Sequence, residues 1–106
     1  MRKEYNKLIR DEIPRIIREN GRECAIETMQ DAEYRRALLE KLIEEANEVA
    51  EADPHKLAVE LADLYEVIDA TMAAHGLERE VVLAEQRKRR VERGGFEKRL
   101  RLLWTE

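Results

Sequence analysis

The sequence has few of the residues that cross-link a chain, break its helices or anchor it in a membrane. Among its 106 residues are one cysteine, two prolines, four glycines and only 5% aromatic residues. The single cysteine, Cys24, cannot form an internal disulfide, which excludes a disulfide scaffold and fits a reducing cytoplasm. No apolar run approaches the ~20 residues of a membrane span, and the residues after Met1 show no secretory signal. We therefore expect a cytoplasmic protein without a membrane partner.

Charge, by contrast, is abundant and nearly balanced. Charged residues make up 42% of the chain, with 20 basic and 24 acidic residues and a net charge of −4. This balance does not by itself favour a nucleic-acid partner, and we expect none. The apolar share of 43% recurs at helical spacing, which predicts a helical domain with a highly charged outer surface. A core this small is marginal for a monomer that also buries carboxylates, so we expect a homodimer or homotetramer.

The hydrophobic pattern predicts an all-α fold, a small helical bundle around an antiparallel helix hairpin, in a single domain of residues 1–106. Start and stop signals divide the chain into four helices. They are a short helix ending at Asn20-Gly21, a second from Asp31, a third from Asp53-Pro54 to His75-Gly76, and a fourth from about Leu77 to Arg93.

Two short segments show a different period. In residues 22–29 and again in residues 99–104, apolar or β-branched side chains occupy alternate positions. Alternation of this kind is a weak strand signal. The two segments could pair as a minor two-stranded ribbon, although an isolated pair is marginal unless it packs on helices.

The predicted hairpin carries two pairs of carboxylates at its core border. Glu45 and Glu48 lie on its first helix, Glu60 and Asp63 on its second, and each pair is spaced i, i+3 on one face. Counted from the turn, the pairs differ in height by only about 3 Å at a rise of ~1.5 Å per residue. Carboxylates in such positions can share Mg²⁺ or Mn²⁺, and the lack of a Cys/His cluster argues against zinc.

A solvated acidic stripe explains the same spacing. With 24 acidic residues in 106, pairs at i, i+3 arise easily, and Asp63/Glu66 and Glu66/Asp69 are further examples. The spacing alone therefore leaves both interpretations open.

Three stretches together resemble a known superfamily. Glu45-x-x-Glu48 with Glu60-x-x-Asp63 resembles the metal motif of the all-α nucleoside-triphosphate pyrophosphohydrolases, which include MazG, dimeric dUTPases and phosphoribosyl-ATP pyrophosphohydrolase. The segment from Tyr5 to Pro14 looks like the opening of a MazG-like, phosphoribosyl-ATP-pyrophosphohydrolase-like subfamily. The segment 93–99, Arg-Gly-Gly-Phe-Glu-Lys-Arg, looks like its ending. The resemblance covers nearly the whole chain.

The resemblance implies a function and a set of site residues. It implies a Mg²⁺-dependent enzyme, with Mn²⁺ as an alternative ion, that cleaves a nucleoside triphosphate between the α and β phosphates to give a monophosphate and pyrophosphate. It implies an oligomer and four metal ligands, Glu45, Glu48, Glu60 and Asp63. In related enzymes the acid before the first pair helps to position or deprotonate the attacking water, and here that acid is Glu44, beside Glu45.

A triphosphate also needs cations, and three groups could supply them. Lys41 lies on the same helical border but could instead pair with Glu45 at i+4. Lys88, Arg89 and Arg93 precede Gly94-Gly95, although cations also suit a helix C-terminus. The third group, which could line the nucleotide pocket or tie the N-terminus to the bundle, is Asn6, Lys7 and Arg10.

The main alternative to an enzyme is a non-enzymatic helical interaction module that binds nucleotide or nucleic acid. Its basic surface would be the run of Arg87 to Arg93. The net negative charge and the lack of a recognisable docking motif count against it.

Overall fold

The computed structural model describes residues 2–106, and these residues form helices and connecting segments without any strand. The all-α prediction is therefore confirmed. Four α-helices follow one another within this range: α1 (Ile13–Glu19), α2 (Asp31–Glu51), α3 (Leu57–Ala74) and α4 (Arg79–Arg93). A single 3₁₀ turn, Pro54–Lys56, connects α2 to α3.

The helix boundaries agree with the local signals. Pro14 lies in the first turn of α1, where its missing N–H is not needed. Asp53, extended and outside the helix, precedes Pro54, whose fixed φ starts the 3₁₀ turn rather than α3 itself. Gly76 follows α3 at a φ of 68°, a left-handed conformation that favours glycine. The ring of His75 also bonds the carbonyl of Thr71 through Nδ1 at 2.8 Å, which satisfies one of the last carbonyls of α3.

The core lies between α2 and α3, which pack against each other as a hairpin. Leu38 on α2 is the most buried side chain, with 2% of its surface exposed, and Val67 and Met72 on α3 are also buried. On α2 the covered positions recur as Leu38, Leu42, Glu45 and Val49, a spacing of three to four residues. Glu45 therefore belongs to the stripe that faces α3, which explains how a carboxylate comes to lie beside the core.

Each hairpin helix also leaves an apolar stripe uncovered. Ile43 on α2 and Tyr65 on α3 are each 64% exposed, and Leu39, Leu57 and Leu61 are exposed as well. The predicted apolar arcs are therefore only half buried in a single chain. Contiguous apolar surface of this kind marks an interaction site more often than free surface.

The chain divides into two compact units. The first ends at Gly76 and contains α1, α2 and α3, and the second, Leu77–Glu106, contains α4 and the C-terminal segment. Whether the two units form the single domain of residues 1–106 that the sequence suggests stays a prediction.

The predicted ribbon of residues 22–29 with 99–104 is wrong. Neither segment forms a strand. Arg99 has a φ of 59°, which breaks the extended conformation at the start of the second segment. Leu100 and Trp104 are 85% and 73% exposed, so this segment lacks the packing that a short pair of strands requires.

Within residues 2–106, no helix combines the length and apolar character needed to cross a membrane.

Candidate metal-binding site

Three of the four predicted ligands converge between α2 and α3. Glu45, Glu60 and Asp63 each offer one carboxylate oxygen, and these oxygens all lie within 4.8 Å of one another. The convergence follows from the short connection between the helices, which brings the last turns of α2 beside the first turns of α3. Each of the three residues is only partly exposed.

The donor set suits a hard divalent cation. Mg²⁺ binds carboxylate oxygen at about 2.0–2.1 Å, so oxygens on opposite sides of the ion stand about 4.2 Å apart. Oxygens at adjacent positions of an octahedral site lie only about 3 Å apart, so the three side chains, whose oxygens lie within 4.8 Å of one another, would close around the ion by adjusting their rotamers. An all-oxygen site without sulfur or imidazole favours Mg²⁺ or Mn²⁺ over zinc.

Glu48, the fourth predicted ligand, lies outside this group. Its side chain is on the exposed side of α2, one turn beyond Glu45. In the conformation described, the group of three consists of Glu45, Glu60 and Asp63. The role of Glu48 as a ligand stays a prediction.

Glu45 occupies the least favourable electrostatic position of the cluster. Its side chain is only 14% exposed. Burial raises the pKa of Glu45 above its ordinary value, Lys41 opposes the rise, and the charges of Asp63, Glu44 and Glu60 add to it. A carboxylate that is both desolvated and close to other carboxylates gains most from a cation that binds them together.

Lys41 is bound to the acids rather than free. Its Nζ lies 3.4 Å from Oε2 of Glu44 and 3.8 Å from Oε1 of Glu45, and its side chain is 18% exposed. The alternative prediction, an ion pair with Glu45 at i+4, is thus present in the structure. A role for Lys41 toward phosphate stays open, because a cation beside the acid cluster can contact both.

The N-terminal segment, residues 2–12, attaches to the hairpin through two ion pairs. The first joins Nζ of Lys7 to Oε1 of Glu44 at 3.1 Å. This hydrogen bond from Lys7 is the main reason why the pKa of Glu44 lies below its ordinary value, although partial burial opposes the decrease and Lys41 adds to it. Glu44 therefore stays ionised at lower pH than Glu45, its neighbour in the chain.

The second ion pair reaches the cluster itself. Nη2 of Arg10 donates a hydrogen bond to Oδ1 of Asp63 at 2.8 Å, across 53 positions of sequence. Both side chains are partly open to solvent, with 56% of Arg10 and 36% of Asp63 exposed. Asp63 keeps its second carboxylate oxygen for another partner.

A pocket opens beside this segment. It has a volume of about 250 Å³ and lies between the N-terminal segment and the first half of α2. Asn6, Lys7, Arg36, Lys41 and Glu44 are among the residues that line it. Asn6, a predicted substrate contact, has a φ of 48°, a left-handed conformation that asparagine tolerates better than most residues. The pocket shares Lys41 and Glu44 with the surroundings of the carboxylate cluster.

The remaining predicted cations belong to the second unit. Arg89 and Arg93 line an open groove of about 1120 Å³ together with Gly94 and Gly95, whereas Lys88 is not among the residues that line it. Arg90 of the same groove pairs with Glu97 at 2.6 Å across the glycine turn. The contribution of Lys88, Arg89 and Arg93 to substrate binding stays a prediction.

Sequence reasoning missed the contacts made by the N-terminal segment. It gave attachment of the N-terminus to the bundle as one possible role of Lys7 and Arg10, and the two ion pairs make that attachment, but it did not predict the partners Glu44 and Asp63. Partners 37 and 53 residues apart leave no periodic signal. Arg36 was also missed, because one arginine on a charged helix surface has no distinguishing spacing.

Comparison with known proteins gives one informative similarity. The chain is 46% identical over 54 residues to an uncharacterized protein of Mycolicibacterium smegmatis (strain ATCC 700084 / mc(2)155). The match covers 51% of this chain and 55% of that relative, so the chain spans about half the length of the curated relative. No protein-family model matches the sequence. No solved structure matches it either.

Proposed function

We propose that this protein is a metal-dependent nucleoside-triphosphate pyrophosphohydrolase of the MazG-like, all-α superfamily. One observation carries the proposal: the carboxylate oxygens of Glu45, Glu60 and Asp63 converge to within 4.8 Å. The resemblance of the two terminal segments, 5–14 and 93–99, supports the same assignment. The matched relative is uncharacterized and adds no activity.

In this proposal, the charged residues of the first unit have separate roles in hydrolysis. Glu45, Glu60 and Asp63 would hold Mg²⁺ or Mn²⁺, with Glu48 reaching the ion by a change of rotamer. An ion held by these residues would lower the pKa of the attacking water and neutralise charge on phosphate oxygens. Glu44, ionised and adjacent to Glu45, is suited to orient the attacking water, whereas its lowered pKa makes it a weak proton acceptor. Lys7, Arg10 and Lys41 surround these acids and are the nearest cations for the phosphates in the first unit.

In the second unit, Arg89 and Arg93 line a groove with Gly94 and Gly95, where the glycine turn allows backbone amides to approach an anion. The proposal includes phosphate binding by Lys88, Arg89 and Arg93. A homodimer or homotetramer is part of the proposal. The open apolar stripes of α2 and α3, which include Ile43 and Tyr65, offer the surface for a second copy.

Product analysis tests the activity directly. The protein is incubated with a panel of nucleoside and deoxynucleoside triphosphates and Mg²⁺ or Mn²⁺, and pyrophosphate and monophosphate are measured. We expect both products in equal amounts and at least a hundredfold loss of rate in Glu60→Gln and Asp63→Asn. Glu66→Gln, an exposed acid on the same helix, is the matched control and keeps its activity. Equal turnover by wild type, Glu60→Gln and Glu48→Gln would exclude the proposed site.

The same assay separates the proposal from a non-enzymatic module. Nucleotide binding without any release of pyrophosphate would support a nucleotide-binding protein. Salt-sensitive binding to DNA or RNA through the second unit would support a nucleic-acid-binding one.

A further inference from the structure

The contact between Arg10 and Asp63 is the one in the first unit that the proposed function leaves unexplained. Arg10 lies in an irregular segment, and its guanidinium reaches 53 positions along the chain to bind a carboxylate of the proposed metal site. A cation paired with a ligand carboxylate opposes the binding of another cation nearby. The pair therefore calls for a physical account.

The pair is easily broken. Arg10 is 56% exposed, and such ion pairs contribute little to stability because solvent screens them and two side chains lose freedom. A divalent ion held by three carboxylates carries twice the charge and contacts more oxygens. Arg15, the next arginine in the chain, differs in this respect, because its partners Glu12 and Glu19 lie outside the carboxylate cluster.

We propose that Arg10 has two alternative partners, Asp63 in the metal-free protein and the triphosphate in the metal-loaded protein. The proposal rests on the function proposed above. In the metal-free protein, Arg10 offsets part of the repulsion among Glu45, Glu60 and Asp63. When an ion binds these three residues, like charges favour the release of Arg10, and its planar guanidinium is suited to bind phosphate oxygens.

The position of the N-terminal segment supports this exchange. The segment carries Asn6, Lys7 and Arg10, and it forms one wall of the 250 Å³ pocket next to Lys41 and Glu44. Lys7 holds the segment to Glu44, which is not one of the three converging acids. Arg10 can therefore leave Asp63 while Lys7 keeps the segment in place.

The exchange predicts opposite effects of one substitution on two ligands. Arg10→Gln removes a competing charge. We therefore expect the affinity of the variant for Mn²⁺, without triphosphate, to be at least about threefold higher than that of wild type. The same change removes a charge-assisted contact to phosphate, so we expect inorganic triphosphate to bind the Mn²⁺-saturated variant about tenfold more weakly. Both affinities are measured by calorimetry on the full chain, and Arg10→Lys should restore the wild-type values in part.

Controls make each outcome decisive. Arg15→Gln should leave both affinities unchanged, and circular dichroism should show that Arg10→Gln is folded. Weaker binding of both ligands by Arg10→Gln indicates a structural role and overturns the exchange. The exchange is also overturned if Arg10→Gln binds Mn²⁺ no more tightly than wild type does and binds triphosphate with unchanged affinity. Failure of the wild-type protein to bind Mn²⁺ refutes the metal site itself and, with it, the exchange.

Discussion

Lys7 and Glu44 join the N-terminal segment to α2 through a 3.1 Å contact between Nζ and Oε1. Because this bond favours the ionised carboxylate, it lowers the pKa of Glu44. A lowered pKa in the folded state adds stability that is present above the ordinary pKa of glutamate and is lost as the pH falls through the lowered value.

Replacing Lys7 by Gln should therefore have a pH-dependent cost. Lys7→Gln is expected to reduce the free energy of unfolding by up to about 1 kcal/mol at neutral pH, since both side chains are partly exposed and screened. The difference from wild type should shrink as the pH falls through the lowered pKa of Glu44. Urea unfolding at neutral pH and at a series of acid pH values measures it, and a loss that grows toward acid pH would contradict the assignment.

Glu45 should behave in the opposite way in metal-free protein. Burial and the neighbouring acids raise its pKa, so its ionised form costs stability once the pH rises through that raised value. Glu45→Gln is expected to raise Tm by roughly 2–6 °C at neutral pH in the presence of a chelator, and the gain should shrink as the pH falls through the raised pKa and be absent below the ordinary pKa of glutamate. Glu51→Gln, an exposed acid at the end of the same helix, should give no such gain.

Divalent metal should make wild-type protein more stable than Glu45→Gln, which is the reverse of the order expected for the metal-free proteins. Binding to the folded state alone raises stability by mass action. We expect millimolar Mn²⁺ to raise the Tm of wild type by several degrees and to have little effect on Glu45→Gln or Asp63→Asn. Asp69→Asn, on an exposed turn of α3, is the matched control and should keep the full shift. A shift that survives in Asp63→Asn would place the ion elsewhere.

Gly94 should be the sensitive residue of the glycine turn after α4. It has φ 82° and ψ 179°, a combination that side chains with a Cβ rarely adopt, whereas a Cβ on Gly95 would meet only the flexible end of Glu97. We expect Gly94→Ala to destabilise the turn by about 1–3 kcal/mol and Gly95→Ala to change it much less. The backbone amide of Gly94 donates to the carbonyl of Arg90, and hydrogen exchange of this amide in wild type and in both variants reports the loss.

The open stripe of α2 predicts self-association. Ile43→Lys places a charge on the most exposed large apolar position of that helix and should shift the protein toward monomer in sedimentation experiments. Glu51→Lys, a charge change on the polar side of the same helix, should leave the assembly intact. A wild-type protein that sediments as a monomer at all concentrations would refute the proposed oligomer.

Local signals were enough to predict most of the fold. Proline, glycine and asparagine ended or started each helix near its observed boundary, because capping and φ preferences act within a few residues. The alternation in residues 22–29 and 99–104 led to a wrong prediction of strands. A strand forms only with a partner segment, and a local pattern does not specify that partner.

The candidate site was predictable to the extent that a helix hairpin is regular. The spacing of Glu45, Glu60 and Asp63 from a short turn already placed them at similar heights, and the structure brings them together. The contacts of Lys7 and Arg10 were not predictable, because an irregular segment has no period from which its path could be read.

The distance in sequence between Arg10 and Asp63 also predicts the order in which the segments fold during synthesis. Arg10 leaves the ribosome 53 residues ahead of Asp63, so this ion pair cannot form while α2 is being made. The hairpin needs only local contacts and can form as soon as α3 emerges. The N-terminal segment is thus expected to dock last, onto a hairpin that is already formed.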